Sequence, residues 1–171
     1  MIVAFTGFKG SGKSEAAQAL YALGFQRHSF ADPIKAAMRA FGLTADDLSP
    51  GRKEQPMELL CGKSPRWAMQ ALGTEYGREC IGKDFWTNVW LATLPIGPDI
   101  VVDDLRFLNE ATLLREMGAP IIRVHRPATR MGFDSHPSET EQLQIEVDDT
   151  ITNYGDASFA IMVREAVERC K

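Results

Sequence analysis

The chain has 171 residues, 44% of them hydrophobic, and a net charge of −4, which suits one core-bearing domain or one domain with a small insertion. A pI near 5.4 and the lack of any basic run exclude the cationic stripe that engages a nucleic-acid backbone, so no nucleic-acid polymer is expected as a partner. No apolar stretch approaches the ~20 residues of a membrane span and the N-terminus runs into a strand without a signal-peptide layout, so no membrane partner and a cytoplasmic protein are expected.

In chain order, Ile2–Phe5 read as a buried strand, followed by "GFKGSGKS" and by Ala16, Ala17, Ala19, Leu20 and Leu23 at helical spacing. Gly7 to Ser14 fit G-x-x-x-x-G-K-[ST] in its required strand–loop–helix context. Glycines let backbone N–H groups approach phosphate oxygens at a helix N-terminus, Lys13 adds a mobile cation, and Ser14 adds a hydroxyl for Mg²⁺. A nucleotide-phosphate site is expected there.

A second strand is expected around Phe25–Phe30. "FADPIKAAMRAF" then places Asp32 at a helix N-cap and Pro33 at the first helical position. Gly62 closes a helix, Ser64 and Pro65 start the next, and Asp84 starts another. From about residue 33 to 95 no convincing strand is present, so this segment reads as a helical insertion within a single 1–171 domain. Arg66, Gln70, Thr74 and Arg78 are spaced by four, one drifting stripe of a continuous helix, although Gly73 is a candidate break. Such a stripe is either a solvated face or a site for a second anion, for which guanidinium forks are suited. Trp67, Trp86 and Trp90 read as core, with the Trp86 ring held open as a base platform.

"PDIVVDDLRFLNEA" is a third strand ending in two acids, at the edge where open α/β sheets bind ligands. Either Asp103 or Asp104 could support Mg²⁺ beside the phosphate loop, the other capping the helix over Phe107–Met117. Ile121–Val124 form a fourth strand. The loop of about 126–141 that follows, with Arg126, Arg130 and His136, reads as a mobile lid or an ordinary surface loop. Ile151–Thr152 form a fifth strand, and Asp156 would cap the last helix. Strands alternating with helices predict an α/β fold, a parallel sheet covered on both faces. Cys61, Cys80 and Cys170 are an odd set without a C-x-x-C pair, which argues against a disulfide framework or a structural zinc site.

"GFKGSGKS", "FADPIK", "QALGTEYGR", "DFW" and "VVDDLRFLNEA", in this order, resemble the deoxynucleoside monophosphate kinases of bacteriophages. The resemblance implies a P-loop kinase with an approximately five-stranded parallel sheet and a helical acceptor-binding insertion. It implies transfer of the γ-phosphoryl of ATP, with Mg²⁺, to a deoxynucleoside 5′-monophosphate, in the host cytoplasm if phage-encoded and with homodimer formation open. Carried over, Gly7, Lys9, Gly10, Ser11, Gly12, Lys13, Ser14 and Arg126 would bind ATP, with Asn153 to Gly155 beside its adenine. Asp32, Lys35, Arg66, Gln70, Thr74, Arg78, Trp86, Arg106 and Asn109 would bind the acceptor. Lys13, Asp32, Asp104, Arg106 and Arg130 would act in transfer, and Ser14 with Asp104 would hold the metal. Rival readings are a small-molecule kinase of the animal phosphomevalonate or dephospho-coenzyme A type, or a P-loop ATPase switch.

Overall fold

A computed structural model of the chain describes residues 1–127 and 141–170. Arg130 and His136, and with them most of the expected lid, lie outside the described residues.

The chain divides into two compact units, one of Met1–Ser29 with Leu94–Lys171 and one of Phe30–Thr93. The first contains a five-stranded sheet of order β2-β3-β1-β4-β5, from β1 (Ile2–Thr6), β2 (Gln26–Arg27), β3 (Ile100–Val102), β4 (Ile121–His125) and β5 (Asp149–Thr152). Every pairing is parallel, with Ile2 opposite Ile100 and Ala4 opposite Ile121 in the central registers. Val3, Phe5, Val101, Ile122, Val124 and Ile151 belong to one buried cluster with Ala16, Ala17 and Leu20 of helix α1 (Lys13–Tyr21). Such apolar runs are the pattern of parallel strands covered on both faces.

Strand β2 is shorter than Phe25–Phe30, since Phe25 and Phe30 are buried as core side chains outside the ladder. The last helix spans Phe159–Arg169 with Ser158 at its N-cap position. Asp156 stands two residues earlier and accepts the Ser158 N–H at 2.9 Å, so it closes the preceding turn instead of capping the helix.

The second unit is helical: α2 (Asp32–Ala40), α3 (Pro65–Ala71), a π-helical continuation Leu72–Ile81, and α4 (Phe85–Ala92). Its core gathers Met38, Leu43 and Leu48 with Met57, Leu60, Ala68, Met69 and Leu72. Phe30 packs on Trp90 with ring centroids 4.7 Å apart. Ser64 caps α3 as its sequence predicts, its hydroxyl accepting the Trp67 N–H at 3.2 Å. Asp32 is the first residue of α2 and not its N-cap, because Ala31 already has right-handed helical dihedrals and accepts the Lys35 N–H.

Candidate active site

The loop between β1 and α1 can be built only with glycine at two points. A Cβ on Gly7 (φ 141°) would lie 2.3 Å from the Val124 carbonyl oxygen, and one on Gly12 (φ 104°) would lie 2.1 Å from Asn153 Nδ2. Both positions also have a backbone conformation that side chains disfavour. Gly12 is the N-cap position of α1, so the free N–H groups of that helix begin where the loop ends. Lys13 is only 8% exposed; its ammonium donates to Gly7 O at 2.6 Å and Phe8 O at 2.9 Å. The loop carbonyls thus hold the cation over the concavity in which an anion would sit.

The two acids after β3 differ in use. Asp103, 4% exposed, accepts the Ser14 hydroxyl on Oδ2 at 2.8 Å, and on Oδ1 it accepts Arg27 Nε at 2.8 Å and the Ser29 hydroxyl at 2.6 Å. Burial by itself would raise this carboxyl, but the Ser29 bond, the Arg27 charge and the Ser14 bond outweigh it and hold Asp103 below the ordinary carboxylate range. The residue beside Ser14 is therefore Asp103, whereas the resemblance put Asp104 there. Alternate residues of an extended segment face opposite ways, so only one of two adjacent acids can turn toward α1. Arg27 and Ser29, at the end of neighbouring β2, carry no motif of their own. The pairing of β2 with β3 brings them to Asp103.

The following helix, α5 (Leu108–Glu116), has Phe107 at its N-cap position. Glu110 caps it from within, its Oε2 accepting the Arg106 N–H at 3.0 Å and the Phe107 N–H at 3.1 Å. That carboxylate fixes the backbone that carries Arg106. The Asn109 side-chain oxygen accepts the Glu110 N–H at 3.1 Å.

Asn153 is fully buried. Its amide nitrogen donates to Ser11 O at 3.2 Å and Glu15 Oε2 at 3.0 Å, while its oxygen accepts the Gly155 N–H at 2.8 Å. The side chain expected beside adenine is thus taken up in clasping the phosphate loop from the end of β5. The Arg126 guanidinium lies over Gly155, where an added Cβ would come within 3.0 Å of it.

In the helical unit, Lys35 Nζ stands 3.5 Å from Asp32, and Arg66 Nε stands 3.6 Å from Glu54. Arg66 and Gln70 belong to α3, Thr74 and Arg78 to the π-helical segment. Gly73 does not break the helix; it lies within the stretch where the winding loosens. Trp86 is 6% exposed and donates its indole N–H to Gly73 O at 2.8 Å. Its ring, expected to be free to meet a base, is packed on the helix backbone instead. Trp67, read as core, is 50% exposed and lies beneath the Lys63 ammonium at 5.1 Å.

A glycine loop opening onto a helix, a buried lysine over its carbonyls, and a strand-end carboxylate on the loop serine define a P-loop nucleotide-binding protein. Over the full chain, the crystal structure of TT1252 from Thermus thermophilus is similar in fold, with a TM-score of 0.52 at 17% identity, covering 99% of this chain and 96% of that one. A dephospho-CoA kinase from Campylobacter jejuni aligns at 14% identity and TM-score 0.47, over 99% of this chain and 97% of the other. Residues 62–162 match the family profile "Deoxynucleotide monophosphate kinase". A protein of Acanthamoeba polyphaga mimivirus, provisionally named a deoxynucleotide monophosphate kinase, is 34% identical over 168 residues, covering 88% of this chain and 86% of the relative. The chain belongs to the deoxynucleotide monophosphate kinase family, and is a phosphotransferase acting on nucleoside monophosphates. No helix among the described residues is long and apolar enough to cross a membrane.

Proposed function

We propose that this enzyme transfers the γ-phosphoryl group of ATP to a deoxynucleoside 5′-monophosphate, with Mg²⁺ as cofactor. The observation that carries the reading is the 2.8 Å contact between the Ser14 hydroxyl and Asp103, beside a loop whose lysine is already oriented. Ser14 and Asp103 offer hard oxygen donors, the kind that divalent magnesium takes alongside nucleotide phosphates. When bound, that ion neutralises phosphate charge. Phosphoryl transfer needs little covalent help beyond alignment and charge neutralisation. Lys13 and the α1 N-terminus would hold the ATP phosphates, with Lys9, Gly10 and Ser11 completing the loop. Arg106 and Asn109, on the segment fixed by Glu110, would face the acceptor phosphate, with Asp104 adjacent. Asp32 and Lys35 would contact the acceptor from α2. Arg66, Gln70, Thr74 and Arg78 would bind it along their shared stripe, with Arg78 as the main clamp. Arg126 and Gly155 would border the adenine.

The reading is tested by a coupled ADP-release assay across deoxy- and ribonucleoside monophosphates, with dephospho-coenzyme A and mevalonate phosphate as controls. Nucleotide-dependent ADP release is expected, with several deoxynucleotides active. Strong turnover of either control and none of nucleotides would overturn it. Within the same assay, Arg78→Ala is expected to raise the acceptor KM roughly tenfold to a hundredfold, the equivalent of one charge-assisted fork of ~1.5–3 kcal/mol. The ATP KM should hold. Arg78→Lys should restore only part of the loss, since an ammonium keeps the charge without the planar fork.

A further inference from the structure

The ten residues Leu72–Ile81 continue α3 as a π-helix, and the Gly82 N–H closes on Gly77 O at 3.0 Å, an i→i+5 bond. Such winding is rare and mostly limited to single turns, so a run of this length needs something to hold it. The indole of Trp86 meets that need twice over. It donates to Gly73 O at 2.8 Å, and it occupies the space a side chain at residue 77 would need, since a Cβ there would lie 2.0 Å from Nε1 and 2.6 Å from Cε2. Trp86 therefore fills the side-chain space at Gly77 and takes the carbonyl of Gly73, whose own Cβ position borders Ile34 Cδ1 at 3.2 Å.

In an α-helix each four-residue step overshoots a full turn by about 40°, so Arg66 and Arg78, three steps apart, would stand about 120° apart around the axis. In a π-helix, with more residues per turn, the same step falls short of a full turn. Arg66 and Gln70 lie in the α-helical part and Thr74 and Arg78 in the π-helical part. The overshoot of the first part is offset by the shortfall of the second.

We propose that Trp86 is a positioning residue which holds Leu72–Ile81 in its π form and thereby keeps Arg66, Gln70, Thr74 and Arg78 on one face for the acceptor monophosphate. This rests on the acceptor role proposed above for that stripe, and gives Trp86 its effect through Thr74 and Arg78, without contact to a base.

The test uses the full chain and a deoxynucleoside monophosphate that the wild type phosphorylates. Trp86→Phe keeps an aromatic ring and deletes the donor. Trp86→Phe combined with Gly77→Ala deletes the donor, refills part of the vacated space, and replaces glycine by the better α-helix former. Both variants are expected to raise the acceptor KM about tenfold, the loss of one well-aligned charged contact, with the ATP KM and the far-ultraviolet circular dichroism close to wild type. In an Arg78→Ala background, Trp86→Phe should add less than about twofold, because the two changes act through one contact. An unchanged acceptor KM in both variants would overturn the proposal. So would an undiminished effect in the Arg78→Ala background, which would assign a direct contact with the base. Equal defects for ATP and acceptor, or failure of both variants to fold, would overturn it in favour of a role in stability alone. A wild type without nucleotide-dependent ADP release would instead refute the function proposed above, a separate result read before any variant is made.

Discussion

Lys13→Ala is expected to lower turnover by roughly 10²- to 10⁴-fold, the equivalent of two charge-assisted phosphate contacts of ~1.5–3 kcal/mol each. The ammonium is buried and already positioned by Gly7 O and Phe8 O, so little of its contribution is spent on ordering when ATP binds. The loop itself should survive, since Gly12, Asn153 and Glu15 hold it from the other side. Thermal melting close to wild type with collapsed turnover is the expected pair of results. Near-normal turnover in a folded variant would remove Lys13 from the phosphate site.

Asp103→Asn should be nearly as damaging to turnover and should also change the response to acid. An asparagine keeps the shape of the side chain, but it loses the charge that faces Arg27 and the anionic oxygen that faces Ser14. We expect at least a hundredfold loss of turnover, about 3 kcal/mol of transition-state stabilisation, with partial relief at high magnesium concentration. The acid response follows from the depressed Asp103 carboxyl. A group whose folded pKa lies below its unfolded value contributes stability that is fully present above the unfolded value, about 3.9 for aspartate, and is lost as pH falls through the lower folded value. Urea melts between pH 7 and pH 3 should therefore show a steeper acid loss in the wild type than in Asp103→Asn. Parallel curves would mean that the Ser14, Ser29 and Arg27 contacts do not bias the carboxylate.

The residues of this site divide by the range of the forces that place them. "GFKGSGKS" was legible because strand, glycine turn and helix follow one another within a single stretch of chain, and the glycines are required by contacts a few ångströms away. Ser64 was legible for the same reason, as an N-cap acts on a backbone N–H three residues on. Parallel strands with apolar runs were legible from alternation alone. The role of Glu110 is local as well, its carboxylate reaching back from the first turn to two N–H groups, but two acids ahead of the expected helix start compete for the same assignment in the sequence.

By itself the sequence determined the class of fold, the phosphate loop and the order of the helices, all set by local periodicity, capping and turn chemistry. Only the tertiary structure decided which of two adjacent aspartates meets Ser14, because that depends on the phase at which β3 ends and on Arg27 and Ser29 arriving from β2. It likewise decided that Asn153 clasps the loop, an interaction across 142 positions of chain, and that Trp86 is buried against two glycines of a π-helix. No periodicity announces such a winding: it arises where an indole from the next helix takes a backbone carbonyl and leaves no space for a side chain, a contact that exists only once the chain has folded.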